Sequence, residues 1–173
     1  MPGRAPWFER KFSFDFPVGI YPDIIERLRG TPAQAEELVR GLSAEVLTRR
    51  HGDAWSIQEN IGHLTNLEVL MAGRIEDFLV GLPVLRAADV TNRMTHEAGH
   101  NRRTIGEVLA EFRRTRAETV QRLEGLADAD FGRVSRHPRL DTPMRLVDSM
   151  YFHASHDDYH MARVSELKRE FGV

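Results

Sequence analysis

Hydrophobic residues recur at the three- and four-residue spacing of an α-helix in four long stretches of this chain. Ser56 and Thr104 open two of these stretches as capping boxes, and Thr142-Pro143 opens another with an N-cap before a proline. No segment shows the alternating β-branched pattern of a strand. The pattern therefore predicts an all-α four-helix bundle, with helices over about Pro22–Leu42, Ser56–Val80, Thr104–Leu126 and Thr142–Phe171.

The segments between these helices indicate how the bundle is connected. The connection from Leu82 to Arg103 is long, whereas antiparallel neighbours need only a short loop. A crossover between the second and third helices, and with it an up-down-down-up order, is predicted. Thr31-Pro32 has the pattern of an N-cap followed by a proline at the first helical position, and it predicts a kink in the first helix. Residues 1–173 are expected to form one domain that opens with an irregular segment of about 18 residues.

Composition and charge argue against several classes of partner. A formal charge of −2 gives no electrostatic reason to expect nucleic acid. The chain has no cysteine, which removes disulfides, thiolate ligands and a cysteine nucleophile and is typical of a cytoplasmic protein. No apolar run approaches the roughly 20 residues that a membrane span needs, and no signal peptide is recognisable. We therefore expect a cytoplasmic protein with neither nucleic acid nor membrane as a partner.

The fourth helix carries histidines and an aspartate on the side that should be buried. Its apolar stripe is formed by Leu146, Met150, Val164, Leu167 and Phe171. His153, Asp157 and His160 fall within this stripe, and His156 falls at its edge. Residues four apart share a helical face, so His156 and His160 can direct two imidazoles, common ligands of transition metals, at one point. The alternative is a satisfied core network, such as a hydrogen bond between His153 and Asp157.

A third ligand would have to come from another helix, and His63 in the second helix is the candidate. It lies at the edge of that helix's apolar stripe. The adjacent Gly62 would permit close packing. Taken alone, a histidine in such a position is more often packed or half-exposed than bound to metal. The reason to consider His63 a ligand is the pair formed by His156 and His160 on the fourth helix.

Two short motifs carry a resemblance to a known family. They are WSIQENIGHL at Trp55–Leu64 and HDDYH at His156–His160. In this order the motifs resemble those of the DinB superfamily, in the branch that includes bacillithiol-transferase-like proteins, over roughly Phe16–Phe171. The resemblance implies an up-down-down-up bundle, a homodimer, and a divalent metal held by the three histidines His63, His156 and His160. The family name refers to damage-inducible expression and does not imply DNA binding.

The resemblance also suggests a type of chemistry. Three histidine ligands leave a coordination position open to water or substrate. Imidazole suits several metals, and among these we favour zinc or nickel. Related proteins are thiol S-transferases that use bacillithiol or mycothiol, mycothiol-dependent isomerases, or amidases. The resemblance therefore implies a metal-dependent thiol S-transferase or hydrolase acting on a small molecule, with a low-molecular-weight thiol as a candidate cofactor.

Residues beyond the three histidines are assigned less directly. Met161-Ala162-Arg163 follows the last histidine where many DinB proteins have Arg-Gly-Gln, which leaves the specificity open. Ligand histidines usually donate their second N–H to a carboxylate or carbonyl, and either Asp157 or Asp158 is expected to accept one. The residues expected to support the ligands or line the pocket are His153, Asp157 and Asn66. The candidates for a catalytic group are Asp157, Glu59 and Tyr159.

A rival motif lies in the long connection. His96–His100 matches the HExxH pattern in which two histidines bind zinc and the glutamate is a general base. That pattern requires a buried helix, but here polar residues flank the motif and Gly99 interrupts it. A solvated loop at the mouth of the pocket is the better interpretation. His51 and His137 lie in turn-like sequence and are interpreted as structural.

A non-enzymatic function is the remaining alternative. A stress-associated bundle would keep the metal only for stability. Such a protein would enclose its metal completely, whereas an enzyme would leave a coordination position facing a pocket.

Overall fold

The long helices form as the periodicity predicts. The computed structural model describes residues 4–173. The α-helices of this part of the chain are α1 (Tyr21–Val39), α2 (Ala44–Thr48), α3 (Ile57–Leu79), α4 (Arg93–Glu97), α5 (Ile105–Glu124) and α6 (Leu146–Phe171). The predicted capping boxes are both present, at Ser56 and Thr104. Within residues 4–173, none of the helices is long and apolar enough to cross a membrane.

Hydrogen bonds between the long helices give their directions. Helices α3 and α5 are joined by Glu68–Arg116 and Glu76–Arg122. Helices α1 and α6 are joined by Thr31–Asp157 and Leu38–Lys168. Helices α1 and α5 are joined by Arg29–Glu124 and Glu36–Arg113. In the α3–α5 and α1–α6 pairs, the partner's residue number rises as the first helix's number rises. In the α1–α5 pair, it falls. Helices α3 and α5 are therefore parallel, α1 and α6 are parallel, and the two pairs oppose each other. The predicted up-down-down-up bundle is confirmed.

Helix α1 runs without interruption through Pro32, so the predicted N-cap at Thr31 is wrong. A proline has no N–H and leaves the carbonyl four residues earlier without its helical partner. That carbonyl belongs to Leu28, and the guanidinium of Arg116 in α5 donates to it at 2.9 Å. A neighbouring helix thus satisfies the group that Pro32 leaves unbonded.

The prediction that the chain has no strands is wrong just before α6. Strands β1 (Val134–His137) and β2 (Thr142–Arg145) form an antiparallel hairpin. Thr142-Pro143 is therefore part of a strand, and α6 begins three residues later than Pro143, at Leu146. Its first turn is capped by Asp148, which accepts from the backbone N–H of Arg145 at 2.8 Å. Four-residue strands are too short for their alternation to be recognised in the sequence.

The crossover between α3 and α5 packs against α3. It contains α4 and a 3₁₀ turn at His100–Arg102. Thr95 and His100 are buried, so the prediction of a solvated loop is wrong at these two residues. The ring of His100 lies directly over Gly62, where a Cβ would come within 2.3 Å of it. The glycine in α3 therefore permits the close approach of the crossover, not of a helix.

Replacing Gly62 by alanine is expected to lower the free energy of unfolding by about 1–3 kcal/mol, because the added methyl group overlaps the His100 ring. Urea unfolding followed by circular dichroism measures the change. Gly106→Ala is the matched control. That glycine also lies early in a long helix, and nothing surrounds its Cβ position. The control should match or exceed the wild type in stability, since alanine favours helix. Equal stability of both variants would contradict the packing described.

Candidate metal centre

Helices α3 and α6 bring His63, His156 and His160 together. One ring nitrogen from each lies within 4.8 Å of the others. The Nε2 atoms of His156 and His160 are 3.2 Å apart, as their spacing of one helical turn leads one to expect. The ring centroid of His63 is 4.8 Å from that of His160 and 5.3 Å from that of His156. The arrangement has the convergence that a three-histidine metal site requires.

Asn60 determines which nitrogen of His160 carries its proton. The Nδ2 of Asn60 donates to the carbonyl oxygens of Trp55 and Ser56 at 3.2 and 2.8 Å. Its Oδ1 therefore faces His160 and accepts from the Nδ1–H at 2.8 Å. This leaves a lone pair on Nε2 of His160, directed at His156. Two Nε2 lone pairs this close repel each other unless a proton or a cation lies between them.

The crossover supports His63. The hydroxyl of Thr95, in α4, lies 2.9 Å from the Nδ1 of His63. A neutral imidazole that donates from Nδ1 keeps its Nε2 free to bind a metal. Thr95 is buried and fixes the orientation of the ring. The crossover thus contributes to the site through the residue immediately before the first histidine of the rival motif.

The N-terminal segment covers His156. The indole of Trp7 packs edge-on against this imidazole, with 4.7 Å between ring centroids. The Nδ1 of His156 is buried and has no hydrogen-bond partner among residues 4–173. An uncompensated buried polar atom costs free energy, and such atoms are concentrated at functional sites.

The three imidazoles are neutral near neutral pH. Burial, together with the smaller effects of the nearby His100 and His153, lowers the pKa of His63 to about 3. Burial also holds the pKa values of His156 and His160 well below their usual range. A neutral imidazole has the lone pair that a metal needs. The donor set therefore fits a divalent transition metal.

His153 and Asp157 belong to a buried network beside the site, and His153 also lines the cavity. The guanidinium of Arg116 donates to Glu68 at 2.6 Å and to Asp157 at 2.7 Å. His153 contacts Glu68 at 3.1 Å through Nε2. Burial raises the pKa of Glu68, but Arg116 and His153 lower it more, to about 2. This polar layer separates the two main apolar clusters of the core.

The layer changes the expected partners of the ligand histidines. Neither Asp157 nor Asp158 accepts an N–H from them: Asp157 bonds to Arg116 and Thr31, and the exposed Asp158 pairs with Arg27. The supporting groups are an amide and a hydroxyl instead. The alternative prediction, a direct hydrogen bond between His153 and Asp157, is wrong because Arg116 lies between these two side chains.

The other candidate residues lie at different distances from the site. Tyr159 lines the cavity beside the histidines. Glu59 does not, because its carboxylate is bonded to Arg50 and to the backbone N–H of Ser56. Asn66 is half-buried and also lies outside the cavity lining within the described part of the chain. Their suggested roles remain predictions, with Tyr159 the best placed.

A cavity of about 530 Å³ opens beside the three histidines. Volumes of this size hold small-molecule ligands. Aromatic and aliphatic side chains form much of its wall, among them Trp7, Phe152 and Met71. Within residues 4–173, the carboxylate in this lining is that of Asp89, which accepts from Thr91 and Arg93. The histidines therefore face a largely apolar space with little capacity for a carboxylate base.

The rival histidine pair does not converge. Helix α4 ends at Glu97, and Gly99 has a φ of 61°, so His96 and His100 do not share a helix. The His100 ring is buried over Gly62, whereas His96 is exposed. Among the described residues, the histidines that converge on a common point are those of α3 and α6. The metalloprotease interpretation lacks its required geometry.

The two remaining histidines differ from one another. His51 is exposed and lies 2.9 Å from the carboxylate of Glu170. His137 ends β1 and lines the cavity, so its interpretation as a turn residue is incomplete.

Sequence reasoning missed Asn60, Thr95 and Trp7. Asn60 lies three residues before His63 on the same helix, and this spacing is a signal that could have identified it. Thr95 and Trp7 reach the site only through the folding of irregular segments, for which the sequence has no periodicity to follow.

Comparison with known proteins supports the fold and the family. Residues 27–164 match the DinB superfamily. YfiT from Bacillus subtilis, described as a probable metal-dependent hydrolase with an unusual four-helix bundle topology, has a similar structure. Its TM-score is 0.79 at 20% identity, over 95% of this chain and 94% of YfiT. A Streptococcus pneumoniae protein matches with a TM-score of 0.67 at 10% identity, over 92% and 93% of the two chains.

A third solved structure is a mycothiol-dependent maleylpyruvate isomerase. It matches with a TM-score of 0.66 at 7% identity over 86% of this chain, which spans 60% of the isomerase. At these identities the structures are evidence of a shared fold. Comparison with curated proteins gives no match. The family match covers most of the bundle, including all three converging histidines. The chain belongs to the DinB superfamily.

Proposed function

We propose that this protein is a divalent-metal-dependent hydrolase acting on a small molecule, with His63, His156 and His160 as the metal ligands. The observation that carries the proposal is the convergence of three buried, neutral imidazoles on one point in the wall of a cavity. YfiT, with the same fold, is described as a probable metal-dependent hydrolase. A bound zinc or nickel ion would polarise a substrate oxygen and lower the pKa of a bound water or thiol toward neutrality.

The residues around the histidines have defined tasks in this proposal. Asn60 and Thr95 hold two of the rings with their Nε2 atoms toward the cavity. Trp7 and Phe152 exclude water from the adjoining wall, which strengthens electrostatic interactions there. Tyr159 lines the cavity beside the histidines, where its hydroxyl would donate a hydrogen bond to a substrate. A base separate from the metal is not needed, since the metal itself acidifies its nucleophile.

The cavity favours catalysis over a purely structural metal. A structural site is normally closed by four protein ligands. Here three ligands converge, and a space of about 530 Å³ adjoins them. This geometry leaves room for a substrate.

The same site supports thiol S-transfer as a second candidate. A metal that acidifies water also acidifies a thiol, and the cavity has the volume for a small thiol with an electrophile. The isomerase of similar fold is mycothiol-dependent. Bacillithiol and mycothiol are therefore the thiols to test.

Metal content and its removal test the proposal. Protein purified without an affinity tag is expected to contain about one zinc or nickel ion per chain by elemental analysis. A chelator should abolish hydrolysis of a panel of small esters and amides, and added metal should restore it. Activity that appears only with an added thiol would identify the S-transferase instead. Protein that binds no stoichiometric metal would overturn both candidates.

A further inference from the structure

The cavity has a second polar region in addition to the three histidines. It is formed by Arg74, His137 and Arg139, which we call the donor wall. Arg74 lies eleven residues after His63 in α3. Eleven residues complete slightly more than three helical turns, so the two residues lie on the same side of the helix, about 16 Å apart along its axis. Leu67 and Met71 lie between them in the cavity lining.

Arg74 is a buried cation with incomplete charge compensation. Its side chain is 6% exposed, and its Nε and Nη2 donate to the carbonyl of Arg86 at 3.2 and 3.1 Å. The nearby carboxylate of Asp77 is bonded to the guanidinium of Arg86 through both of its oxygens. Two guanidinium groups thus share one carboxylate. Burial lowers the pKa of Arg74 to about 10, which still leaves it charged at neutral pH.

His137 contributes an N–H donor without a partner. Its Nδ1 accepts from the backbone N–H groups of Arg139 and Leu140 at 3.2 and 3.1 Å. Burial lowers its pKa to about 4, so the ring is neutral and its proton is on Nε2. His137 is 2% exposed, and this Nε2 has no hydrogen-bond partner among the described residues. A buried donor left unbonded costs free energy that an acceptor on a ligand would recover.

Arg139 adds a second positive charge. Its guanidinium lies over the ring of Phe152, 5.6 Å from the centroid, and no carboxylate pairs with it within residues 4–173. The other arginines that line the cavity, Arg4 and Arg163, both pair with Glu166. The donor wall therefore has two cations and a free N–H, and the nearby carboxylate of Asp77 is already bonded to Arg86.

We propose that the donor wall binds an oxyanion, such as a carboxylate, at one end of an elongated substrate. The apolar middle of the substrate would lie against Leu67, Met71 and Phe152, and its other end would reach the three histidines. Arginine pairs with carboxylates through two parallel hydrogen bonds, and the His137 N–H supplies a third donor. The inference rests on the proposed function in taking this cavity as the substrate site, and it narrows the substrate class to apolar anions.

Paired probes test the inference without knowledge of the substrate. Phenylbutyrate and its neutral amide, phenylbutyramide, share an apolar body and differ at one end. Calorimetry is expected to show that the wild type binds the carboxylate about tenfold more tightly, as charge-assisted hydrogen bonds would give. Arg139→Gln should reduce this preference to less than about threefold, and so should Arg74→Gln. Because Arg139 is exposed, its variant should fold normally even if the Arg74 variant does not.

Two controls separate this inference from the proposed function. Arg113→Gln also removes an exposed arginine, which pairs with Glu36 outside the cavity, and should keep the tenfold preference. The titrations are run on protein as purified and after chelation. A preference that survives chelation and disappears in Arg139→Gln supports the donor wall, whatever the metal does. If chelation removes the preference and the arginine variants keep it, the carboxylate binds the metal, and the donor wall is overturned while the metal site stands. Equal binding of the two probes by the wild type would also overturn it.

Discussion

Replacing His160 by alanine is expected to lower the affinity of the protein for zinc or nickel by more than about 100-fold. Loss of a residue that only supports a ligand typically costs about 10–100-fold, and loss of a ligand should cost more. The variant lacks one of three proposed ligands and leaves Nε2 of His156 without its neighbour at 3.2 Å. It also leaves the amide oxygen of Asn60 without its donor. Competition with a chromophoric chelator measures the affinity, and elemental analysis measures the metal retained after purification.

His96→Ala is the matched control for this loss. His96 is an exposed histidine of the HExxH motif and lies outside the converging group. Its removal should leave metal affinity within about twofold of the wild type, as for surface substitutions generally. If His96→Ala lost the metal and His160→Ala kept it, the proposed site would be wrong and the rival motif would be the ligand pair.

Replacing Asp157 by alanine is expected to lower the free energy of unfolding by about 3–5 kcal/mol. Both Asp157 and Arg116 are 1% exposed, and the substitution removes the charged acceptor of the Arg116 Nη1 group in the core, leaving Glu68 as the remaining carboxylate partner of Arg116. Thr31 loses its acceptor as well. Urea unfolding should show an earlier midpoint with an unchanged slope.

Asp158→Ala is the matched control. It also removes a carboxylate, the one next to Asp157, and so separates the effect of burial from the effect of charge. Asp158 is exposed and pairs with Arg27 at the surface, so its loss should change stability by less than about 1 kcal/mol. The pair also distinguishes two functions of Asp157. If Asp157→Ala kept wild-type stability but lost activity, Asp157 would be a catalytic group, and the structural function of the polar layer would be contradicted.

The bundle could be predicted from the sequence because the signals that identify each long helix lie within that helix. The apolar periodicity of α3 and α6 and the capping boxes at Ser56 and Thr104 depend only on neighbouring residues. The hairpin before α6 could not be predicted in the same way. Its pairing joins Val134 to Arg145 across a turn, and a Thr-Pro pair serves a strand as well as a helix start.

The convergence of the histidines could also be predicted, because helical spacing determines that His156 and His160 share a face. Their supporting partners could not. Asp157 occupies the same side of α6, and only the three-dimensional structure shows that Arg116, from another helix, engages it instead of a ligand imidazole. Spacing along one helix identifies which side chains can meet, whereas the charge that arrives from a neighbouring helix decides which of them do.

The three converging histidines lie on helices that are far apart along the chain, α3 and α6, and this has a consequence for how the protein is made. Translation produces α3 with His63 long before it produces His156 and His160 in α6. A nascent chain arrested before α6 holds a single imidazole of the three and has an uncovered apolar face on α3. Metal uptake at the proposed site would then follow the docking of the last helix, and a bound ion would mark a chain whose folding is complete.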